Sequence, residues 1–325
     1  LLRGRNAVGY TNYPDNLLRE FVLQAAAHGI DVFRVFDCFN DTTAMRTCVE
    51  AVKEARKFAE VCICFTGNFL SPKETIYTLE YYKGVARAVA AMGGHAICIK
   101  DMAGLFRAQM ARPFMDALRS VTDLPIFFHT HNTSGTMLST LLALVDAGVA
   151  GVDVALPAMS DCTSQPSLGA FLASLEGHPR CPAIAFESLD RLDSQWRNIR
   201  SLYFSHESGM KCGTTRVYEH QMPGGQYSNL QAQCKALGLW ERWDDITQMY
   251  ADVNRVLGDI IKVTPSSKVV GDLALFLVNK NLRAEDILDE SVHIEFPESV
   301  VQLACGRLGM PHRGLPEAFV KRALR

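Results

Sequence analysis

The chain has 325 residues, 48% of them hydrophobic, with 33 basic against 35 acidic side chains and a formal net charge of −2. Such a chain buries a substantial core, as one large α/β domain with an appendage or as two domains. The near-neutral balance excludes partners held through bulk charge, so neither nucleic acid nor an anionic membrane is expected. The long apolar stretch around Met137 to Val145 is too short to span a bilayer, and no transmembrane segment is expected.

Apolar, β-branched and aromatic runs recur along the chain. In order they are Leu1-Leu2-Arg3, Val32 to Asp37, Val61 to Thr66, Ala96 to Lys100, Ile126 to His129 and Val152 to Leu156. Their starts fall about 26 to 35 residues apart, the spacing a repeating strand–helix unit requires. Between them Asn16 to His28 carries helical periodicity at Leu17, Leu18, Phe21, Val22 and Ala25 and stops at Gly29. Met137 to Ala147 behaves the same way and stops at Gly148. Near-continuous apolar strands alternating with helices predict a parallel sheet covered by helices. A doubly wound open sheet competes with an eight-stranded α/β barrel, but no glycine-rich phosphate loop follows any early strand. The expected fold is therefore a (β/α)8 TIM barrel lacking its first two strands, since only six are visible. The first residue is Leu1, already inside an apolar run, which reads as a chain entered part-way through its fold.

From about Glu187 the pattern changes. Leu189, Leu192, Trp196, Ile199 and Tyr203 follow helical spacing, as do Trp243, Ile246, Tyr250, Val253, Leu257 and Ile260. The division predicted is a barrel portion over 1–186 and a mostly helical extension over 187–325. Met222 to Gln226 and Lys262 to Lys268 interrupt the extension as loops. Ten cysteines are present, with Cys62, Cys64 and Cys98 inside strand-like runs and no CxxC pair. Cysteine used as a small buried hydrophobe fits a reducing, intracellular compartment.

Polar residues gather at the strand ends: Arg3, Asp37, Thr66, Lys100, Asp101, His129 and His131. Residues two apart on a strand face the same way, so His129 and His131 present two imidazoles side by side. That is half of a plausible metal site. For an isolated HxH, one buried structural histidine and one exposed histidine is the commoner arrangement. Lys100 and Asp101, ending the preceding strand, shift the balance toward chemistry.

Several motifs resemble the carboxyltransferase domain of the pyruvate carboxylase family. They are LLRG at Leu1–Gly4, VGYTNYPDN at Val8–Asn16, FRVFDCFN at Phe33–Asn40, KDMAG at Lys100–Gly104 and HTHNTSG at His129–Gly135. TSQPSLG at Thr163–Gly169, MPGGQYSNL at Met222–Leu230, KVTPSSKVVGDLAL at Lys262–Leu275 and PESV at Pro297–Val300 continue the match. Oxaloacetate decarboxylase α subunits and transcarboxylase share the barrel and the Lys/His/His pattern. The GYTNYPDN stretch and Gln226 look more like pyruvate carboxylase.

The resemblance implies transfer of a carboxyl group from carboxybiotin to pyruvate, giving oxaloacetate. It implies a divalent metal, Mn2+ or Zn2+, held by His129, His131 and Lys100, the lysine carboxylated to a carbamate that supplies oxygen ligands. It makes Thr264 a proton shuttle, Arg3 a contact to the substrate carboxylate, and Tyr10 and Ser267 part of the biotin pocket. A hydroxyl donates and accepts at once, and a guanidinium pairs with a carboxylate through two hydrogen bonds. The cation and the Thr264 hydroxyl are expected to serve one cavity. Asp37 is expected to orient Arg3 or a metal ligand, or to pair with Arg34. The family's aspartate ligand lies on a first strand that precedes Leu1. Asn132 stands where the family pattern has aspartate, which keeps the hydrogen-bonding shape and loses a charge.

Biotin on a carrier domain, and ATP used by a biotin carboxylase domain, are implied by resemblance and lie outside these residues. So is a homo-oligomer, a tetramer by resemblance, in the bacterial cytoplasm or the mitochondrial matrix. Two alternatives stay open: a stand-alone decarboxylase or aldolase-like lyase, and a non-catalytic barrel remnant that keeps only assembly surfaces.

Overall fold

The computed structural model describes residues 2–325, so the start of the first apolar run, Leu1, lies outside the described residues. Helices and strands alternate as α1 (Asp15–Ala27), β1 (Val32–Val35), α2 (Thr42–Glu54), β2 (Phe58–Cys64), α3 (Leu79–Ala91), β3 (Ala96–Asp101), α4 (Ala111–Arg119), β4 (Ile126–Thr130), α5 (Met137–Asp146) and β5 (Gly151–Val152). Helices alone follow: α6 (Leu168–Ser174), α7 (Phe186–Leu202), α8 (Val217–His220), α9 (Gly224–Ala236), α10 (Trp243–Val256), α11 (Ser266–Asn279), α12 (Glu298–Ala304) and α13 (Glu317–Ala323). The fold is α/β, with a parallel sheet in the order β1-β2-β3-β4-β5 and a helical extension.

The chain divides into two compact units. One holds Leu1–Cys64, Gly84–Cys98 and Leu230–Arg325, the other Phe65–Lys83 and Ile99–Asn229. In the first, β1 and β2 pair in parallel with Arg34 opposite Glu60. Arg34 donates to both Glu60 oxygens, from Nε at 2.7 Å and from Nη2 at 3.1 Å, so a pair with little water around it keeps its donors and acceptors matched. Asp41 caps α2, accepting from the Thr43 N–H at 2.9 Å, as its position ahead of an apolar run requires. Helix α1 buries Leu18, Val22 and Ala26, one stripe at four-residue spacing, while Leu17 and Phe21 stay exposed. Its stop at Gly29 (φ +100°) is as the sequence reads.

In the second unit β4 and β5 pair in parallel. Its core is an aromatic cluster: Phe65 packs on Phe106 with ring centroids 4.8 Å apart, and Phe106 packs on Phe114 and Phe128 at 5.2 and 5.1 Å. The last two are edge-to-face pairs, which add about 0.5–1.5 kcal/mol each beyond the area they bury. Strand β3 is buried at all six positions, as near-continuous apolar strands predict.

The barrel expectation is met only in its coarser part, a parallel sheet with helices. Among the described residues there are five strands in an open sheet, not six staves of a closing barrel. Leu2 makes one isolated parallel bridge to Val35, because the chain turns into a 3₁₀ turn at Gly4 straight afterwards. β5 keeps only two residues before the chain enters a second such turn at Pro157. Two expected loops are shorter than predicted. Helix α9 starts at Gly224 and α11 at Ser266, each directly after a proline whose missing N–H costs nothing at a helix start.

Candidate active site

Strand β4 carries His129, His131 follows its last residue, and the structure brings them together: their Nε2 atoms are 3.3 Å apart. His129 Nδ1 lies 2.7 Å from Asp153 Oδ2, and His131 Nδ1 lies 2.6 Å from the Thr163 carbonyl oxygen. A carbonyl and a carboxylate only accept, so each Nδ1 carries a hydrogen, and a ring that is neutral then keeps its lone pair on Nε2. Two lone pairs aimed at each other repel unless a positive charge sits between them. A cation about 2.1 Å from each would see them at close to a tetrahedral angle. The outer hydrogen bonds that orient such ligands are already in place. His131 is held neutral, pushed down to about 3 chiefly by burial, then by the charges of His129 and Lys100.

Two glycines let the chain pass close to His131. A Cβ on Gly224 would sit 2.6 Å from His131 Nδ1 and 2.5 Å from the Thr163 oxygen, and one on Gly104 (φ +68°) would collide with the His131 carbonyl oxygen. Neither position admits a side chain.

Lys100, at the end of β3, is buried and close enough for its charge to act on His131. Asp101 is committed elsewhere: its carboxylate accepts from the Leu105 and Phe106 N–H groups at 2.9 and 3.0 Å and from Thr130 Oγ1 at 3.1 Å. It therefore shapes the loop after β3, and burial pushes its pKa up to about 6. Among the described residues no group of three or more His, Cys, Asp or Glu side chains could hold a metal ion. Two imidazoles fit a cation, and a third donor has to be of another kind.

The other sequence-predicted residues belong to the first unit. Arg3 is half-buried, donating from Nη1 to the Val8 and Gly9 carbonyl oxygens at 2.8 Å, with its guanidinium 5.0 Å over the exposed Tyr10 ring. Thr264 is half-buried in the loop before α11, and Ser267 is buried in the first turn of that helix. Asp37 is not the partner of Arg34, which pairs with Glu60. Asp37 Oδ1 instead accepts from the Phe39 and Asp41 N–H groups at 2.8 and 3.0 Å. Sequence reasoning missed Asp153, Thr163, Gly104 and Gly224. Asp153 had a signal, a lone acid inside an apolar run; Thr163 acts through its main chain and had none.

Comparison with known proteins gives the family. A conserved carboxylase domain family matches residues 217–325, and an HMGL-like family matches residues 34–195. The chain is 47% identical over 325 residues to pyruvate carboxylase of Bacillus subtilis, and 43% identical over 328 residues to the mitochondrial pyruvate carboxylase of Homo sapiens. In both it is covered fully while spanning 28% of the relative's length. Its structure matches the carboxyl transferase domain of Rhizobium etli pyruvate carboxylase with pyruvate and biocytin. The TM-score is 0.98 at 48% identity, covering 99% of this chain and 55% of that one. The chain belongs to the carboxyltransferase-domain family of the pyruvate carboxylases.

Proposed function

We propose that this chain performs the carboxyltransferase step, moving a carboxyl group from carboxybiotin to pyruvate to give oxaloacetate. The observation that carries this reading is the pair of Nε2 atoms 3.3 Å apart, with both Nδ1 atoms already engaged. His129, His131 and Lys100, the last as a carbamate, are the residues to hold a divalent cation, Mn2+ or Zn2+. Bound there, such a cation would polarise the substrate keto oxygen and offset enolate charge. Arg3 binds the substrate carboxylate through paired donors. Thr264 Oγ1 would relay the proton that the pyruvate methyl loses to the biotin ureido nitrogen that gives up the carboxyl group, and the methyl carbon would take that carboxyl group as CO2. Tyr10 and Ser267 line the biotin site.

The finer architecture belongs to the same proposal. Residues 1–186 are the β/α portion of a barrel closed by two further strands, and 187–325 the helical extension. Biotin carboxylase and carrier domains supply carboxybiotin at the cost of ATP, within a homotetramer of the bacterial cytoplasm or mitochondrial matrix. The relatives' much greater length supports those further domains. Among the described residues no helix is long and apolar enough to cross a membrane.

The test is oxaloacetate breakdown to pyruvate with free biotin as acceptor, alongside metal content by elemental analysis. His129→Ala, His131→Ala and Lys100→Ala should lose metal and activity, and Thr264→Ala activity alone. A Lys100→Ala protein that keeps both would favour an aldolase-like lyase.

A further inference from the structure

The loops that leave β2 and β3 form a cavity of about 250 Å³, lined by Lys73, Glu74, Arg107, Tyr218 and Gln221 among others. It falls below the roughly 300–1,000 Å³ typical of sites for drug-sized ligands, so its occupant is small. Its one carboxylate is already committed. Glu74 accepts from the backbone N–H groups of Ile76 at 2.9 Å, Tyr77 at 3.0 Å and Asn68 at 3.3 Å, which folds the loop around it. The cations are not committed. Neither Lys73 nor Arg107 forms an ion pair with any described residue, and neither side chain donates a hydrogen bond to one.

Arg107 is nevertheless held in place. Its guanidinium lies 4.5 Å over the Tyr218 ring, and the Tyr218 hydroxyl is fixed 2.8 Å from Thr136 Oγ1. Stacking covers one face of the guanidinium and leaves its edge of N–H donors in the plane, free for an acceptor. A half-buried planar fork lacking a carboxylate, beside a second unpaired cation, is a receptor for an anion. The fork suits a carboxylate through two parallel bonds, and the ammonium suits a second negative charge.

We propose that this cavity is a binding site for a small dianion, a short dicarboxylate above all, with Arg107 gripping one carboxylate and Lys73 offsetting the other. The site shares no residue with the histidine pair, and the inference stands whether or not the chain transfers carboxyl groups.

Isothermal titration calorimetry of the full chain at constant ionic strength tests it, with succinate and inorganic phosphate as probes. Succinate should bind, and Arg107→Met should weaken it about tenfold or more, the loss expected for a paired charged contact. Lys73→Met should weaken it less, and Lys321→Met on α13 not at all. Arg107→Lys keeps the charge without the fork and should fall in between, which keeps the test informative should the methionine variant unfold. Phosphate binding that depends on Arg107, without succinate binding, would assign the cavity to a phosphate-bearing dianion. No binding of either probe up to about 20 mM, or binding indifferent to Arg107, would overturn the proposal.

Discussion

The Asn132 side-chain amide donates to Asp161 Oδ1 across 2.6 Å, while Asn132 Oδ1 accepts the Met137 N–H at 3.0 Å. The charge missing at 132 relative to the family pattern thus sits opposite it at 161. Restoring aspartate at 132 would set two carboxylates face to face and remove the donor between them. Asn132→Asp should cost about 1 kcal/mol of stability near neutral pH, because Asp161 is exposed and water screens the repulsion between the two carboxylates. Adding Asp161→Asn should recover most of it. Urea midpoints of the two single variants and the double variant measure the coupling, and additive losses would remove this reading.

The contact distances at Gly224 fix a second expectation. Gly224→Ala should displace His131 or the loop carrying Thr163, because the new methyl meets both at about 2.5 Å. Metal retention should fall several-fold while the variant stays folded, as read by dialysis against a chelator of known affinity.

His220 gives a pH dependence. It is buried, its Nδ1 accepts the Met222 N–H at 3.0 Å, and burial, then Arg216, pushes its pKa down to about 4. Between pH 4 and 6.5 the unfolded chain takes up this proton and the folded one does not. Stability therefore falls as pH drops through that window, by about 3 kcal/mol in full. His220→Asn offers an amide oxygen to the same N–H and should flatten the slope of urea midpoint against pH.

Asp37 works in the opposite direction. Burial above all pushes its pKa up to about 6, and Oδ2 is buried with no partner. Here the folded chain binds the extra proton between pH 3.8 and 6, so this group's contribution is present below that window. It is lost as pH rises through it, by about 3 kcal/mol. Asp37→Asn keeps an acceptor for the two N–H groups without the charge. It should match the parent at pH 4 and exceed it in thermal midpoint at pH 8.

The strand–helix alternation was legible because buried parallel strands leave runs such as Ala96 to Lys100 and helices leave glycine stops at Gly29 and Gly148. The histidine pair was legible from two-residue periodicity. What the sequence concealed is what the main chain does. Nothing in a threonine announces that its carbonyl will meet an imidazole, and Pro-Gly-Gly reads as a loop although it launches a helix. Of the roles left open for Asp37, the pair with Arg34 does not form, although a carboxylate near arginines looks like an ion-pair partner. Only the fold reveals that backbone N–H groups claim it first.

The hydrogen on His131 is positioned by a peptide oxygen, which every amino acid carries. Any residue at 163 can therefore serve, and a scan of single substitutions there would return silence. The vulnerable quantity is the path of the chain through 160–164, where Asp161 and Cys162 both take positive φ. One residue added or removed in that bend would turn the imidazole away while leaving Lys100, His129 and His131 themselves unchanged.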